Sequence, residues 1–371
     1  MSPSVSKSTR MGTIMRAVGL VGSTGAPHLL REFGKPVPAP LPRDVIVRVA
    51  ACSVNPIDTK IRGNQGNQRP LSKPLVLGFD GAGFIEALGS KTSQTFNVGD
   101  PVYFICSRIR AGCNADFVAV DERCVGSAPR TCTLTCAAAL PLAAVTAWRS
   151  LFECARISNS GSDAGKRILV LPGASGVGSM VIQLAKYAGL EVIAAASRPL
   201  SVSYAKSLGA DHTVDHEKPL QPQMEAAGLG KQDCIDYVFS SSDLSAHYAE
   251  YLDLLKPCGV LIDTTPSRTP EPVLQSMAVK HIKYHATHEK FKYTESGFGM
   301  DLVKQGLILD RVSKLIDENS LQPPRTSVFP LCAGSLALAH RIQESGKVVG
   351  KIVMQQRPMG KHARATIWDL V

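Results

Sequence analysis

The chain has 371 residues, of which 44% are hydrophobic and 19% are charged, and its formal net charge is +10. This length allows about two domains, and the composition is that of an ordinary globular protein. The basic residues are scattered and form no run interleaved with aromatic residues, which argues against a nucleic-acid partner and leaves a small anionic ligand compatible with the charge.

Two short segments and the cysteines bear on location and metal content. MSPSVSKSTR at the start has no apolar core, so we expect no secretory signal, a disordered tail over residues 1–14 and a cytoplasmic protein. The apolar run CAAALPLAAVTAW is shorter than the about 20 residues of a membrane span and contains Pro141, so no membrane partner is expected. None of the ten cysteines forms a Cys-x-x-Cys pair. We interpret them as reduced and mostly buried, and Cys132 and Cys136 alone make no zinc site.

The first region alternates short β-rich runs with Gly and Pro. It extends over residues 15–148 and contains MRAVGL, DVIVRVAACSV, GFDGAGFIEAL, GDPVYFI and ADFVAV. Runs at this spacing are typical of a partly open β-barrel rather than of a parallel sheet.

Strands and helices alternate in the second region, residues 149–290. The predicted strands are RILVL, EVIAAAS, IDYVFSS and GVLIDTT, and the predicted helices are GVGSMVIQLAKYAG, LSVSYAKSLGA and SAHYAEYLDLLK, the last stopped by Pro-Cys-Gly. Such alternation predicts a parallel, doubly wound sheet, so the fold class is α/β.

The third region, residues 291–356, is predicted to return to the first domain. It contains the helical stretch GMDLVKQGLILDRVSKLIDEN and the strand-like runs TSVFPL and GKVVGKIVM. Residues 357–371 have no clear pattern and are expected to form a loose tail.

The segment LPGASGVGSM lies between the first predicted strand of the parallel sheet and its helix. Glycine at 173, 176 and 178 would let the backbone approach a pyrophosphate, and the N-terminal N–H groups of the helix would face that anion. Packing of the bend alone is the alternative explanation for the glycines. The predicted cofactor-binding residues of this turn are Gly173, Ser175, Gly176, Val177 and Gly178.

The end of the second strand of this sheet distinguishes NADPH from NADH. NAD-binding proteins usually place there a carboxylate that binds the ribose hydroxyls. This chain has no Asp or Glu between Glu191 and Asp211 and offers Ser197 and Arg198 instead. Since Arg and Ser bind a phosphate that a carboxylate would repel, the sequence favours NADPH.

Five blocks together resemble the medium-chain dehydrogenase/reductase superfamily, and within it the zinc-free quinone oxidoreductase and enone reductase branch. They are VAACSVNPIDTKIRG, LVLGFDGAGFIEALGS, FNVGDPVYF, AAALPLAAVTAWRSLFE and VLPGASGVGSMVIQLAK. The resemblance implies a GroES-like catalytic domain over residues 15–148 and 291–356, a Rossmann domain over 149–290, and a cofactor in the cleft between them.

The same resemblance locates the positions where alcohol dehydrogenases of the superfamily bind catalytic zinc. Asn55, Phe79 and Leu142 stand where a Cys, a His and a second Cys are expected. Only Cys106 and Cys113 remain of the four-Cys structural lobe. Because Asn, Phe and Leu cannot build a thiolate–imidazole site, we expect no metal and therefore no zinc-assisted alcohol oxidation.

The resemblance implies hydride transfer from NADPH to a quinone or to an α,β-unsaturated carbonyl. It assigns Asn55 to orienting the substrate or ribose and Lys60 to the nicotinamide ribose or the enolate oxygen. Asp58 is either a structural cap or a functional group. Thr146 matches a cofactor contact near the nicotinamide, Leu142 is expected to pack beside its ring, and His216 falls where relatives place an aromatic residue near the adenine phosphate.

Several relatives carry a Tyr proton donor after the Arg-Gly of this motif, but RGNQGNQRPLSKP contains none. We therefore expect solvent to deliver the proton and interpret this segment as a polar loop at the mouth of the cleft. Three alternatives stay open: an NADPH-dependent reductase of some other activated double bond in small-molecule biosynthesis, an NADPH-binding protein without redox turnover, and an enzyme that uses the scaffold for non-redox chemistry. A homodimer joined through Rossmann sheet edges is also open.

Overall fold

The computed structural model describes residues 13–22, 24–64, 71–244, 247–265, 271–286 and 302–357. Most of both predicted tails, and part of the predicted polar loop at 65–70, lie outside these residues. No helix in the described ranges combines the length and apolarity of a membrane span.

The first part of the chain forms two mainly antiparallel sheets. β1 pairs with β2 and β4, while β3, β5, β6, β7 and β8 belong to a seven-stranded sheet. This arrangement confirms the predicted GroES-like, partly open barrel. Its strands are β1 Ile14–Leu20, β2 Leu30–Pro36, β3 Asp44–Val54, β4 Leu75–Val76, β5 Asp80–Leu88, β6 Pro101–Ile105, β7 Phe117–Asp121 and β8 Val125–Ser127, and its helices are α1 Pro56–Asn64, α2 Leu134–Ala137 and α3 Pro141–Trp148.

The second part forms the predicted parallel sheet. Its six strands lie in the order β11-β10-β9-β12-β13-β14, and every neighbouring pair is parallel. This is the strand order of a dinucleotide-binding Rossmann fold. The strands are β9 Arg167–Leu171, β10 Glu191–Ala195, β11 His212–Val214, β12 Ile235–Ser240, β13 Leu255–Asp263 and β14 Lys283–Ala286, and the helices are α4 Gly176–Tyr187, α5 Pro199–Ser207, α6 Leu220–Ala226, α7 Tyr248–Leu254 and α8 Glu271–Val279.

One predicted boundary in this part is wrong. The sequence placed the stop of the helix at Pro-Cys-Gly, but α7 ends at Leu254 and β13 begins at once with Leu255. Leu255 is fully buried against the sheet. Cys258 takes a left-handed conformation with φ 64, so the Pro-Cys-Gly segment is an irregularity inside the strand.

The last part of the chain adds two strands to the seven-stranded sheet of the barrel. β16 pairs antiparallel with β3 and parallel with β15, which places both new strands in the seven-stranded sheet. The exact domain boundaries predicted above stay predictions. The elements are α9 Leu302–Asp317, β15 Thr326–Pro330, α10 Ala333–Glu344 and β16 Lys351–Gln355.

Helix α9 joins the barrel to the parallel sheet. Leu309 and Val312 belong to one continuous apolar core that contains Tyr103 of the barrel and Ile168 of the parallel sheet. The Tyr103 hydroxyl donates to the Leu309 carbonyl. Asp317 accepts hydrogen bonds at 2.8 and 3.0 Å from the backbone N–H groups of residues 130 and 131. The two walls of any cleft between these parts are therefore held by packing.

His340 is a completely buried histidine. It lies on α10, is 0% exposed, and neither ring nitrogen has a partner within the described part of the chain. Burial, with the nearby Arg62 guanidinium adding to it, lowers the pKa of His340 to about 3. The fold therefore keeps this imidazole neutral.

We predict that His340 makes the protein less stable in mild acid. The unfolded chain, whose histidine titrates near the ordinary value of about 6.5, binds a proton first as the pH falls. The free energy of unfolding that the neutral imidazole contributes is complete above about pH 6.5 and is lost progressively as the pH falls to about 3. Between pH 7 and pH 5 this loss should amount to about 2 kcal/mol. Urea unfolding at both pH values should show that His340→Leu removes this loss, whereas His28→Leu, at an exposed position, retains it.

Candidate active site

A cleft of about 1170 Å³ lies between the barrel and the parallel sheet. On one side it is lined by the chain following β9 and β12, the two strands between which the strand order reverses. On the other side it is lined by the start of α1 and by α3. Ligands of open parallel sheets bind at such a switch point, outside the carboxyl ends of the strands.

The structure brings most of the sequence-predicted site residues to this one cleft. Gly173, Gly178 and Asp58 are not among its lining residues. The predicted residues that do line it are Asn55, Lys60, Thr146, Ser175, Gly176, Val177, Ser197, Arg198 and His216.

Packing within the protein crowds a Cβ at all three turn positions, against fixed atoms at Gly173 and Gly178 and against the stem of a lysine at Gly176. An added Cβ would lie 2.7 Å from the Cβ of Ala194 at Gly173 and would overlap the Pro172 carbonyl oxygen at Gly178. At Gly176 it would lie 2.5 Å from Cδ of Lys351. The alternative explanation, that the bend needs glycine for packing, therefore holds at these positions, and only Gly176 also lines the cleft.

The first turn of α4 is suited to an anion. Ser175 caps the helix, since its Oγ accepts a hydrogen bond of 2.9 Å from Gly178 N–H. Ser175, Gly176 and Val177 line the cleft. Because the N-terminal N–H groups of a helix point away from its body and carry partial positive charge, this turn fits the pyrophosphate of a dinucleotide.

The far end of the cleft carries both positive and negative groups. Ser197 and Arg198 follow β10 as predicted, and the Arg198 guanidinium donates to the Lys347 carbonyl at 2.9 Å. His216 lines the same end, and its buried Nδ1 has no partner in the described ranges. Glu217, which sequence reasoning missed because it follows β11 rather than β10, accepts from Ser197 Oγ at 3.4 Å. Arg198 is suited to bind a phosphate, and Glu217 is suited to accept a hydrogen bond from a ribose hydroxyl.

Asp80, which sequence reasoning also missed, is 0% exposed and lies directly beneath three residues that line the cleft, Asn55, Leu142 and Lys351. Its Oδ2 accepts from Ser53 Oγ at 3.0 Å, Asn55 Nδ2 at 2.9 Å and Lys351 Nζ at 3.2 Å. Its Oδ1 accepts from Leu142 N–H at 2.8 Å, in the first turn of α3. A carboxylate at a helix N-terminus is favourable, and here it also neutralises a buried cation.

Lys351 is a further floor residue that sequence reasoning did not select. Its side chain is 6% exposed, and its ammonium donates to Asn55 Oδ1 and, at 3.4 Å, to the Val54 carbonyl. The pairing of Ile352 with Val54 brings Lys351 next to Asn55, the residue that directly follows β3. A lysine in the apolar strand KIVMQ was the available signal, because a buried lysine requires a partner.

Asp58 has a capping geometry. It accepts from the N–H groups of Asn55 at 2.9 Å and Gly78 at 2.8 Å, and it does not line the cleft. Burial raises the pKa of Asp58 to about 7, with the two backbone hydrogen bonds acting against this shift. Three residues after the N-cap of α1, its side chain satisfies the N-cap N–H as in a capping box. The geometry favours the cap over contact with substrate.

The remaining predicted groups lie on the barrel wall. Lys60 is exposed on α1, Leu142 and Thr146 lie on α3, and all three line the cleft. Arg108, which sequence reasoning missed, adds a second cation to this wall. Within the described ranges, no group of three His, Cys, Asp or Glu side chains has a geometry that could hold a metal ion.

Comparison with known proteins finds relatives whose matches cover most of the chain. The family models for the alcohol dehydrogenase GroES-like domain and for zinc-binding dehydrogenase match residues 41–141 and 176–283. A zinc-type alcohol dehydrogenase-like protein of Staphylococcus aureus is 33% identical over 329 residues, 88% of this chain and 95% of that protein. A chloroplastic quinone-oxidoreductase homolog of Spinacia oleracea is 28% identical over 92% of this chain and 98% of its own length. The quinone oxidoreductase structure from Coxiella burnetii has a TM-score of 0.74 at 27% identity, with 93% of this chain and 100% of that chain covered.

We predict that Gly178→Ala destabilises the protein by roughly 1–3 kcal/mol, because the Pro172 carbonyl leaves no space for the methyl group. Gly334 in α10 is the matched control, since nothing lies within 4 Å of its added Cβ. Gly334→Ala should stabilise by up to about 1 kcal/mol through the unfolded state. Denaturant unfolding measures both changes, and equal stability of the two variants would contradict the packing argument.

Proposed function

The chain belongs to the medium-chain dehydrogenase/reductase superfamily, and we propose that it is an NADPH-dependent oxidoreductase that reduces a quinone or the double bond of an α,β-unsaturated carbonyl without zinc. The observation that carries the proposal is the cleft itself, which is lined by the first turn of α4 and by Asn55 and Lys351, with the buried Asp80 carboxylate bound beneath these two side chains. Quinone oxidoreductases among the relatives support the acceptor class.

The residues of the cleft fit a phosphorylated dinucleotide. The N-terminal N–H groups of α4 would bind the pyrophosphate. Arg198, Ser197 and His216, whose Nδ1 has no partner among the described residues, would surround the adenosine phosphate, and Thr146 would lie toward the nicotinamide. When bound, a reduced nicotinamide supplies a hydride.

The barrel wall and the floor provide what such a reduction requires of the protein. Negative charge develops on the carbonyl oxygen of the substrate, so the site needs a hydrogen-bond donor there. Asn55 and Lys60 line the cleft and are the proposed donors. A proton must also reach the substrate, and solvent in the open cleft is its proposed source.

Zinc-dependent alcohol oxidation is the second candidate, because the Staphylococcus aureus relative is named a zinc-type alcohol dehydrogenase-like protein. The donor chemistry of this chain supports the zinc-free proposal instead. Phe79 and Leu142 offer no ligand atom from their side chains, and both oxygens of the Asp80 carboxylate accept hydrogen bonds. Neutral Asn55 already accepts from Lys351.

The test is oxidation of NADPH, followed by absorbance, with a panel of quinones, enones, aldehydes and ketones. We expect turnover with a quinone or enone that persists after treatment with a zinc chelator and in protein without stoichiometric zinc. Turnover that is lost with zinc and restored by it would support the alcohol dehydrogenase alternative. Tight NADPH binding without turnover would support a binding protein, and conversion of an acceptor that NADP⁺ sustains equally well, measured as product formed, would support non-redox chemistry.

We predict that Arg198→Ala weakens NADPH binding about tenfold while NADH binding changes little, because a charge-assisted hydrogen bond to the 2′-phosphate is lost. The substitution spares the start of α5, since Ser201 Oγ accepts from the backbone N–H of Arg198. Glu217→Gln is the matched opposite change. It removes a carboxylate beside Ser197 and should tighten NADPH binding. Fluorescence titration with both coenzymes measures these effects, and an unchanged NADPH affinity in Arg198→Ala would contradict the phosphate assignment.

A further inference from the structure

The amide of Asn55 has only one chemically sensible orientation. Its neighbours on the floor are an ammonium, which can only donate, and a carboxylate, which in its ionised form can only accept. Lys351 Nζ donates to Asn55 Oδ1, and Asn55 Nδ2 donates to Asp80 Oδ2 at 2.9 Å. If the amide were flipped, its NH₂ group would face the Lys351 ammonium and its oxygen would face the Asp80 carboxylate, and neither pair could form a hydrogen bond. The Lys351–Asp80 pair therefore determines the orientation of the Asn55 side chain.

One hydrogen of this amide has no assigned acceptor. Nδ2 carries two hydrogens, and among the described residues its hydrogen-bond acceptor is Asp80. Asn55 is 4% exposed and lines the cleft. The N–H is also polarised, since an ammonium bound to Oδ1 withdraws electron density from the amide and strengthens its remaining donor.

We infer that Lys351 and Asp80 are positioning residues, which hold Asn55 so that its second Nδ2–H is the donor to the substrate oxygen on which negative charge develops. This inference rests on the proposed function. A preorganised donor at that oxygen stabilises the transition state more than the bound substrate, so its loss lowers kcat more than it changes KM.

The positioning pair also contacts the cofactor turn. The Cγ and Cδ atoms of Lys351 occupy the space that a Cβ on Gly176 would need, at 2.9 and 2.5 Å. The backbone of the preceding residue, Gly350, donates to the Ala174 carbonyl at 2.8 Å. Lys351 is therefore held from both sides, with its stem against the glycine turn and its ammonium beside Asn55.

A double-mutant cycle between Asn55→Ala and Lys351→Met tests the inference. Each single variant should lower kcat about 10²-fold with NADPH affinity nearly unchanged, since one preorganised donor is lost in each. The double variant should be little slower than either single one, because both remove the same donor. Effects that multiply would overturn the inference. Lys351→Arg, which keeps a donor-only group at this position, should recover part of the activity, and Lys91→Met at an exposed position outside the cleft should match the native protein.

Removal of one partner of a buried pair can prevent folding, so a charge-neutral variant accompanies the cycle. Asp80→Asn combined with Lys351→Met removes both charges and should show the same loss of kcat while remaining folded. Native kcat in that folded variant would overturn the inference.

A second measurement does not depend on turnover. The side-chain amide signals of Asn55 in an NMR spectrum, identified by their loss in Asn55→Ala, should shift and exchange faster in Lys351→Met or in the charge-neutral variant. Unchanged signals would overturn the inference even if activity fell. Absence of turnover in the native protein with every acceptor would instead refute the proposed function, while the NMR result would still decide the positioning.

Discussion

The cleft depends on one buried carboxylate. Asp80 accepts hydrogen bonds from β3, from the junction that follows it, from the first turn of α3 and from the start of β16. These donors come from three distant parts of the chain, and a buried carboxylate requires such partners. The side chains of Asn55 and Lys351 are therefore held in place by their hydrogen bonds to the Asp80 carboxylate beneath the cleft.

The last segment of the chain, residues 302–357, connects the barrel to the parallel sheet. β16 completes the seven-stranded sheet, and its first residue, Lys351, packs against the glycine turn that begins α4. Helix α9 adds an apolar core common to both halves. A ligand on the glycine turn and a substrate on the barrel wall would consequently lie on two surfaces held in fixed relation.

Three glycines illustrate how one sequence signal can have two physical causes. The spacing in LPGASGVGSM indicated close approach of a pyrophosphate, whereas the structure shows that Ala194, Pro172 and Lys351 occupy the space that a Cβ would need. Both explanations predict a tight turn between β9 and α4. They differ on whether the glycines leave space for a phosphate or for neighbouring protein atoms. The same caution applies to Asp58, whose spacing from Asn55 suits a capping box as well as it suits chemistry.

The amino-acid sequence alone predicts the alternation of strands and helices, the glycine turn and the polar groups Ser197 and Arg198, because periodicity, turn chemistry and capping act over a few residues. That Lys351 lies beside Asn55, 296 positions away, and that Glu217 lies beside Ser197, is visible in the folded chain alone. Both contacts require strands distant in sequence to lie side by side in a sheet, and the pairing of β16 with β3 is a property of the assembled sheet rather than of either strand.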